Sequence, residues 1–356
     1  MRWAEQTLDA VDESALPGMG RIAGLVRTVE VRDFPGVRLH EVRARSVLNA
    51  VPAASAMPFR WTVNPYRGCV HACVYCFARG THSYLDLDPG QGFDREIVVK
   101  VNAVDVLRRE VSRASWGREH VAFGTNTDPY QRPEGRYRLM PGLLRTLAAS
   151  GTPLSVLTKG PLLRRDLPLL AAVSREVQVG VGVSLAVWDD DLRERLEPGV
   201  ASVEARLATV RAVREAGLAC GVFLAPVLPW LTDGEEALDA ALARLAAAGA
   251  TGVVVIPLHL RPGAREWFFA WLARERPELV PRYRSLYGNG SYVPSWWSRD
   301  LKAKVEPLLR RHGLTAPAIR SRADTTGSAE DGEFPEGSLP QGRATAQEPT
   351  EQLSLI

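Results

Sequence analysis

Residues 64–79 read NPYRGCVHACVYCFAR and place Cys69, Cys73 and Cys76 in a C-x3-C-x2-C spacing, with Tyr75 directly before the third cysteine. The one remaining cysteine, Cys220, lies far along the chain. In a reducing compartment, clustered cysteines read as metal ligands or catalytic thiols before they read as disulfides. Three thiolates on a short loop can hold three corners of a metal cluster and leave one metal open to bind a second molecule. The other reading is a zinc site completed by His71 or His82, although zinc sites more often pair two C-x2-C knuckles.

The surrounding chain is that of a globular protein. With 356 residues, 46% hydrophobic and 24% charged, it has room for one large domain with extensions or for two domains. A net charge of +3 permits a nucleic-acid partner without demanding one. No apolar run approaches the ~20 residues that span a bilayer. The opening stretch MRWAEQTLDAVDES lacks the basic and apolar regions of a signal peptide. A cytoplasmic location with no membrane contact is expected.

From residue 60 a regular alternation begins. Short apolar or β-branched runs at 60–64, 120–124, 154–158, 177–183, 219–225 and 252–256 alternate with helical patterns at 103–115, 139–150, 162–173, 202–216 and 234–248. Gly151, Gly217 and Gly249 close helices just before a strand. Strands alternating with helices predict a parallel sheet with right-handed crossovers, either open or as a partial barrel. The unusual residues follow strands: the cysteine loop, then GTNTDPYQ (124–131), Thr158-Lys159, Ser184, PVLPWLTD (226–233) and PLHLRPG (257–263). In parallel α/β folds the carboxyl ends of the strands form the ligand face, so a single active site is expected there. Residues 1–58 show no clean period and read as an N-terminal extension. Residues 59–265 read as the core, 266–317 as a helical and aromatic extension, and 318–356 as a disordered tail ending in EQLSLI.

The cysteine loop with an aromatic before its last cysteine resembles the radical S-adenosylmethionine (radical SAM) superfamily. The fuller string, followed by GTNTDPYQ, resembles the branch related to spore photoproduct lyase, a DNA repair enzyme. The resemblance covers about residues 60–265 and implies a partial (β/α)6 TIM-like barrel. It implies that Cys69, Cys73 and Cys76 ligate a [4Fe-4S] cluster whose fourth iron is chelated by S-adenosylmethionine (SAM). Tyr75 would lie near the adenine, Thr125, Asn126 and Thr127 near the methionine amino group, Lys159 at the carboxylate, and Ser184 at the carboxylate or ribose. Reductive cleavage of SAM would yield a 5′-deoxyadenosyl radical, with the electron supplied by a flavodoxin- or ferredoxin-type donor.

Two departures from the family pattern stand out. A Gly-Gly-Glu string usual after the second strand is absent. Spore photoproduct lyases of the commonest type also carry a hydrogen-donating cysteine there, where this chain has Gly124-Thr125-Asn126-Thr127. Asp128 and Tyr130 are the candidate catalytic residues, Tyr130 as a hydrogen-atom relay; the alternative is that they cap the next helix and pack. Trp296 and Trp297 beside Arg299 are candidates for base stacking or for simple packing. The terminal QLSLI resembles the peptides by which bacterial repair proteins dock on the DNA polymerase sliding clamp, through Gln352, Leu353, Leu355 and Ile356. The expected function is a radical SAM enzyme acting on DNA lesions. The alternatives are modification of RNA, protein or a small molecule, or an iron–sulfur adaptor recruited to the clamp without turnover.

Overall fold

The computed structural model describes residues 22–315, apart from 33, 34, 53, 54 and 56, together with residues 334–340. Its strands are β1 (Leu25–Glu30), β2 (Arg38–Val42), β3 (Leu48–Ala50), β4 (Trp61–Val63), β5 (Tyr66–Arg67), β6 (Glu96–Lys100), β7 (Val121–Phe123), β8 (Leu154–Thr158), β9 (Val179–Ser184), β10 (Gly221–Val227) and β11 (Gly252–Pro257). The six runs expected from sequence are β4 and β7 to β11, and they lie side by side in strictly sequential order. All five contacts between them are parallel. A doubly wound sheet would reverse its order at a switch point. Here every crossover runs the same way, so the helices cover one face and the other face curls inward as a barrel wall. Among the described strands β11 pairs only with β10, and β3 caps β4 at the opposite edge, so this (β/α)6 barrel is partial.

Alternation along the strands separates the two faces. Val121, Phe123, Leu154, Val156, Val181, Val183, Val222 and Leu224 join the main hydrophobic core beneath the helices. Those helices are Ala103–Val111, Leu139–Ala149, Leu167–Val173, Val203–Glu215 and Glu235–Ala247. One of them starts later than its periodicity suggests. Residues Pro161–Asp166 form a 3-10 turn, and the α-helix begins at Leu167 with Pro168 in its first turn, where the missing N–H costs nothing. Ser202 caps the next helix, its Oγ accepting from Ala205 N at 3.3 Å.

The N-terminal region supplies a second, smaller sheet. β1 and β2 pair antiparallel, β2 pairs with β6, and β6 receives β5, the strand that feeds the cysteine loop. At the other end, helix Ser295–Arg311 runs along the open edge of the barrel. Leu260 N donates to Ser291 O (2.7 Å) near its start, and Val253 N donates to Leu314 O (3.4 Å) just past its end. Trp297 is buried in the core while Trp296 is exposed, so these neighbours do not act as a stacking pair.

The expectation of a tail disordered from residue 318 needs correction in one place. Residues 334–340 are ordered and pack into the barrel; Ser338 and Leu339 are buried. The terminal residues Gln352, Leu353, Leu355 and Ile356 lie outside the described residues. No helix among the described residues is long and apolar enough to cross a membrane.

His82 is fully buried, its Nε2 2.9 Å from the Glu96 carbonyl, and burial pushes its pKa from 6.5 down to about 4. An unfolded chain binds a proton at this site below about pH 6.5, which the folded chain refuses until about pH 4. Stability conferred by the neutral ring is therefore complete above pH 6.5 and lost as the pH falls. We expect unfolding free energy to drop by about 2 kcal/mol between pH 7 and pH 5 on account of His82. Urea titrations at the two pH values test this, and the difference should shrink in His82→Gln.

Candidate active site

The cysteine loop is tied down by backbone bonds from several elements. Cys69 N donates to Phe93 O (2.9 Å), Val74 N to Leu196 O (2.9 Å), and Gly199 N to His71 O (3.1 Å). Gln131 grips the loop from both sides, accepting from Val70 N (3.1 Å) and donating to Gly68 O (3.1 Å). Gly199 lies so close that a Cβ there would stand 1.8 Å from the Val70 carbonyl oxygen, which leaves only glycine possible. Arg79 completes the frame. Its guanidinium is fully buried between the rings of Phe93 and Trp267. It donates to the Cys73 carbonyl at 3.1 and 2.9 Å, to Gly90 O at 2.7 Å and to Asp94 at 2.8 and 3.0 Å.

This frame presents three free thiols on one loop: Cys69 and Cys73 buried, Cys76 half-buried. Cys220 is also free, but it packs into the hydrophobic core at the far end of the barrel. The histidines that could have completed a zinc site are engaged elsewhere. His82 faces the Glu96 carbonyl. His71 is buried, with Nδ1 3.3 Å from Asp128 and the ring beside Cys69. Burial opposes its protonation, but the neighbouring Cys69 and Asp128 outweigh burial and raise its pKa to about 10. A protonated ring beside a thiolate donates to it, a standard way to steady a metal-bound sulfur. Burial pushes the Cys73 thiol well up and Cys76 to about 11. Bound iron reverses that penalty by supplying positive charge, so the donor set fits a thiolate-held cluster.

A second group of charges lies beside the loop. Glu197, with no exposed surface, is hydrogen bonded by Tyr75 Oη, receives Lys159 Nζ at 2.8 Å, and pairs with Arg206 at 3.2 Å. Lys159 Nζ also donates to Tyr75 Oη at 3.1 Å. Burial alone would raise the Glu197 pKa, but Lys159 and Arg206 hold it down at about 2. Arg206 further donates to the Ser184 carbonyl at 3.2 Å. The structure thus joins Tyr75 and Lys159 through Glu197 and reaches the backbone of Ser184 through Arg206, while the Ser184 hydroxyl donates to Ala225 O at 3.3 Å; sequence reasoning missed Glu197 and Arg206.

The loop after β7 has a bracing role. Asp128 accepts from Tyr130 N (2.8 Å) and Thr158 Oγ1 (2.6 Å) on one oxygen and from Lys159 N (2.6 Å) on the other, where His71 also approaches. Its oxygens are occupied in joining strand ends, so it positions the loops. Thr127 Oγ1 donates to Tyr66 O at 2.8 Å. Thr125 and Asn126 are half-buried at the same strand end. Gly124, at a φ of +83°, lets this loop cross the Leu157 carbonyl, which a Cβ would approach to 1.8 Å. Tyr130 is not brought into the site. Its hydroxyl is buried beside Asp166, Glu134 and Arg165, a cluster apart from the cysteines. A relay through it has no geometric support.

Fold and site together describe a partial parallel barrel that carries three free thiols on one loop at the carboxyl end of its first strand. The radical SAM superfamily signature matches residues 63–242, and the chain belongs to that superfamily. Its members use a [4Fe-4S] cluster and SAM and draw on an external electron donor. An uncharacterised protein of Mycobacterium tuberculosis strain H37Rv is 58% identical over 318 residues, 88% of this chain and 93% of the relative. An uncharacterised protein of Methanocaldococcus jannaschii is 25% identical over 199 residues, 56% of this chain and 71% of the relative. Among solved structures, spore photoproduct lyase complexed with dinucleoside spore photoproduct superposes with a TM-score of 0.58 at 16% identity, covering 77% of this chain and 79% of that one. A spore photoproduct lyase mutant with bound SAM and the same dinucleoside gives 0.57, also at 16% identity, covering 77% and 78%. At such identities the likeness is one of fold.

Arg79 offers a direct test of the frame. Arg79→Met leaves the half-buried Asp94 without its cation and frees the Cys73 carbonyl, at an expected cost of about 3 kcal/mol. Arg79→Lys recovers only part of this, because an ammonium cannot reproduce the forked bonds. Urea unfolding reads the stability, and iron and sulfide per chain after anaerobic reconstitution read the loop. Unchanged values in the Met variant would refute the role.

Proposed function

We propose that this chain is a cytoplasmic radical SAM enzyme that acts on DNA, at bases unstacked from the helix. The observation that supports this reading is the rim around the cysteine face. Phe77, Tyr84, Trp230, Tyr292 and Trp296 are large aromatics left exposed. They come from the segment after Cys76, the loop after β10, the turn between helices Val280–Tyr287 and Ser295–Arg311, and the start of the latter. Arginines lie over two of them: Arg261 over Phe77 at 5.6 Å and Arg282 over Trp230 at 5.4 Å. Exposed rings interleaved with guanidinium groups suit stacked bases and phosphates together.

Trp230 adds a second hint. It holds a φ of +60°, a conformation unfavourable for a bulky side chain, which costs about 1 kcal/mol or more. Tyr283 supports the turn by donating to Pro229 O at 2.7 Å and packing its ring 5.4 Å from that of Trp230. Strain retained to project an aromatic ring is consistent with a binding role.

Within the site, Cys69, Cys73 and Cys76 would hold three irons, and Tyr75, Thr125, Asn126, Thr127, Lys159 and Ser184 would line the SAM side. Together the two cofactors supply a one-electron route to hydrogen-atom abstraction. Lys159 would trade its bond to Glu197 for the SAM carboxylate, while Arg206 keeps Glu197 charged and in place. The buried walls exclude competing hydrogen donors.

Two measurements test the proposal. Anaerobically reconstituted protein with a low-potential reductant should release 5′-deoxyadenosine from SAM, and Cys73→Ala should release none. Trp230→Gly should leave the unfolding free energy within about 1 kcal/mol, since glycine tolerates the positive φ. It should weaken binding of a fluorescent single-stranded oligonucleotide by about 1–3 kcal/mol. Equal affinity in the two proteins would sink the DNA reading while leaving the radical chemistry standing.

The terminal peptide carries a separate reading, recruitment to the sliding clamp. What favours it is the terminal QLSLI string itself, with Gln352, Leu353, Leu355 and Ile356 as the docking residues. Deleting residues 352–356 should abolish retention of the protein on immobilised clamp, and equal retention would dismiss the idea.

A further inference from the structure

The inside of the barrel is nearly empty of side chains at its amino-terminal end. Thr62, Ala122, Ser155 and Gly180 are register partners across β4, β7, β8 and β9. Gly182, Gly221 and Gly252 continue the small-residue row through β9, β10 and β11. Parallel barrels ordinarily fill this position with branched aliphatics. Here residues 334–340, FPEGSLP, fill it instead.

The fit is close and depends on backbone. β10 pairs with β9 only from Gly182 upward, and below that point Val181 N donates to Gly337 O at 2.8 Å. Thr251 Oγ1 donates to Glu336 O at 2.7 Å. The segment folds on itself, with Ser338 N and Oγ both donating to Pro335 O, at 3.0 and 2.7 Å. A Cβ on Gly180 would stand 2.5 Å from Ser338 O, and one on Gly221 would stand 2.8 Å from Glu336 O. The ends are held by apolar contacts. Phe334 meets Phe59 and Phe223 edge-on at 6.0 and 5.6 Å, and Leu339 packs with Phe59 and Ala122.

We propose that the amino-terminal mouth of the barrel is a peptide-binding site whose ligand is this chain's own segment 334–340, a detachable floor that closes the lumen opposite the cysteine loop. The cluster it makes with Phe59 and Ala122 is separate from the main core, so its release leaves the outer helices packed. Residues 316–333 join it to the body, which makes docking an intramolecular event with a high effective concentration. The inference does not depend on the substrate being DNA.

Hydrogen exchange on the full chain tests it. In the unmodified protein, the amides of Val181 and Ser338 should exchange at one common rate, about tenfold or more faster than those of β8. In Phe334→Ala/Leu339→Ala, Val181 should lose its protection while β8 keeps its own. An excess of synthetic peptide with the sequence of residues 333–341 should restore it. Exchange of Val181 and Ser338 only at the global unfolding rate of the unmodified protein would overturn the proposal. So would unchanged protection of Val181 in the double variant, or failure of the peptide to restore it.

Discussion

Glu197 is a carboxylate sealed from water, and the site is arranged around the need to keep it charged. An ion of that kind costs several kcal/mol to bury unless partners offset the loss. The partners come from separate parts of the chain: Lys159 from the end of β8, Arg206 from helix Val203–Glu215, and Tyr75 from the cysteine loop. Holding one carboxylate therefore fixes three elements relative to each other. Arg206 extends the tie to the end of β9 through the Ser184 carbonyl. The pairing also explains why a lysine can stand beside buried thiols without being expelled to the surface.

Much of this arrangement is legible in the chain, and the limits follow a physical rule. Strand runs such as LSVLT and GVVVIP announce themselves because burial on one face and small residues on the other are local properties. The C-x3-C-x2-C spacing is equally local. Lys159 and Ser184 could be placed because each directly follows or ends a strand, and strand ends converge in a parallel barrel. Glu197, Arg206 and Arg79 could not. Each is one charged residue among many, and its meaning lies in a partner distant along the chain, such as Tyr75, 122 positions from Glu197. Tyr130 failed for the opposite reason: its position in the motif is right, but its side chain points into the cluster around Asp166 and Arg165.

Residues 334–340 show a different limit. Their composition is that of a linker, with glycine, serine, glutamate and two prolines in a stretch of seven. Ordering such a segment costs conformational entropy that its own apolar residues barely offset. What tips the balance is the shape of the receiving surface. Glycines at 180, 182 and 221 leave a hollow whose depth matches a backbone rather than a side chain. Neither half signals order alone, since a row of glycines in strands reads as weakness and a polar tail reads as disorder.

The two ends of the barrel thus solve opposite problems with the same resource. At the carboxyl ends of the strands, polar and charged groups are held by long-range bonds beside the cysteine loop. At the amino ends, side chains are removed and a peptide closes the gap. A radical enzyme needs both features. A hydrogen-abstracting centre reacts with whatever donor reaches it, so a lumen open at both ends would admit small molecules from behind the substrate. Filling that rear opening with backbone, whose carbonyls at Pro335, Glu336 and Gly337 are paired, closes it without adding a reactive side chain beneath the site.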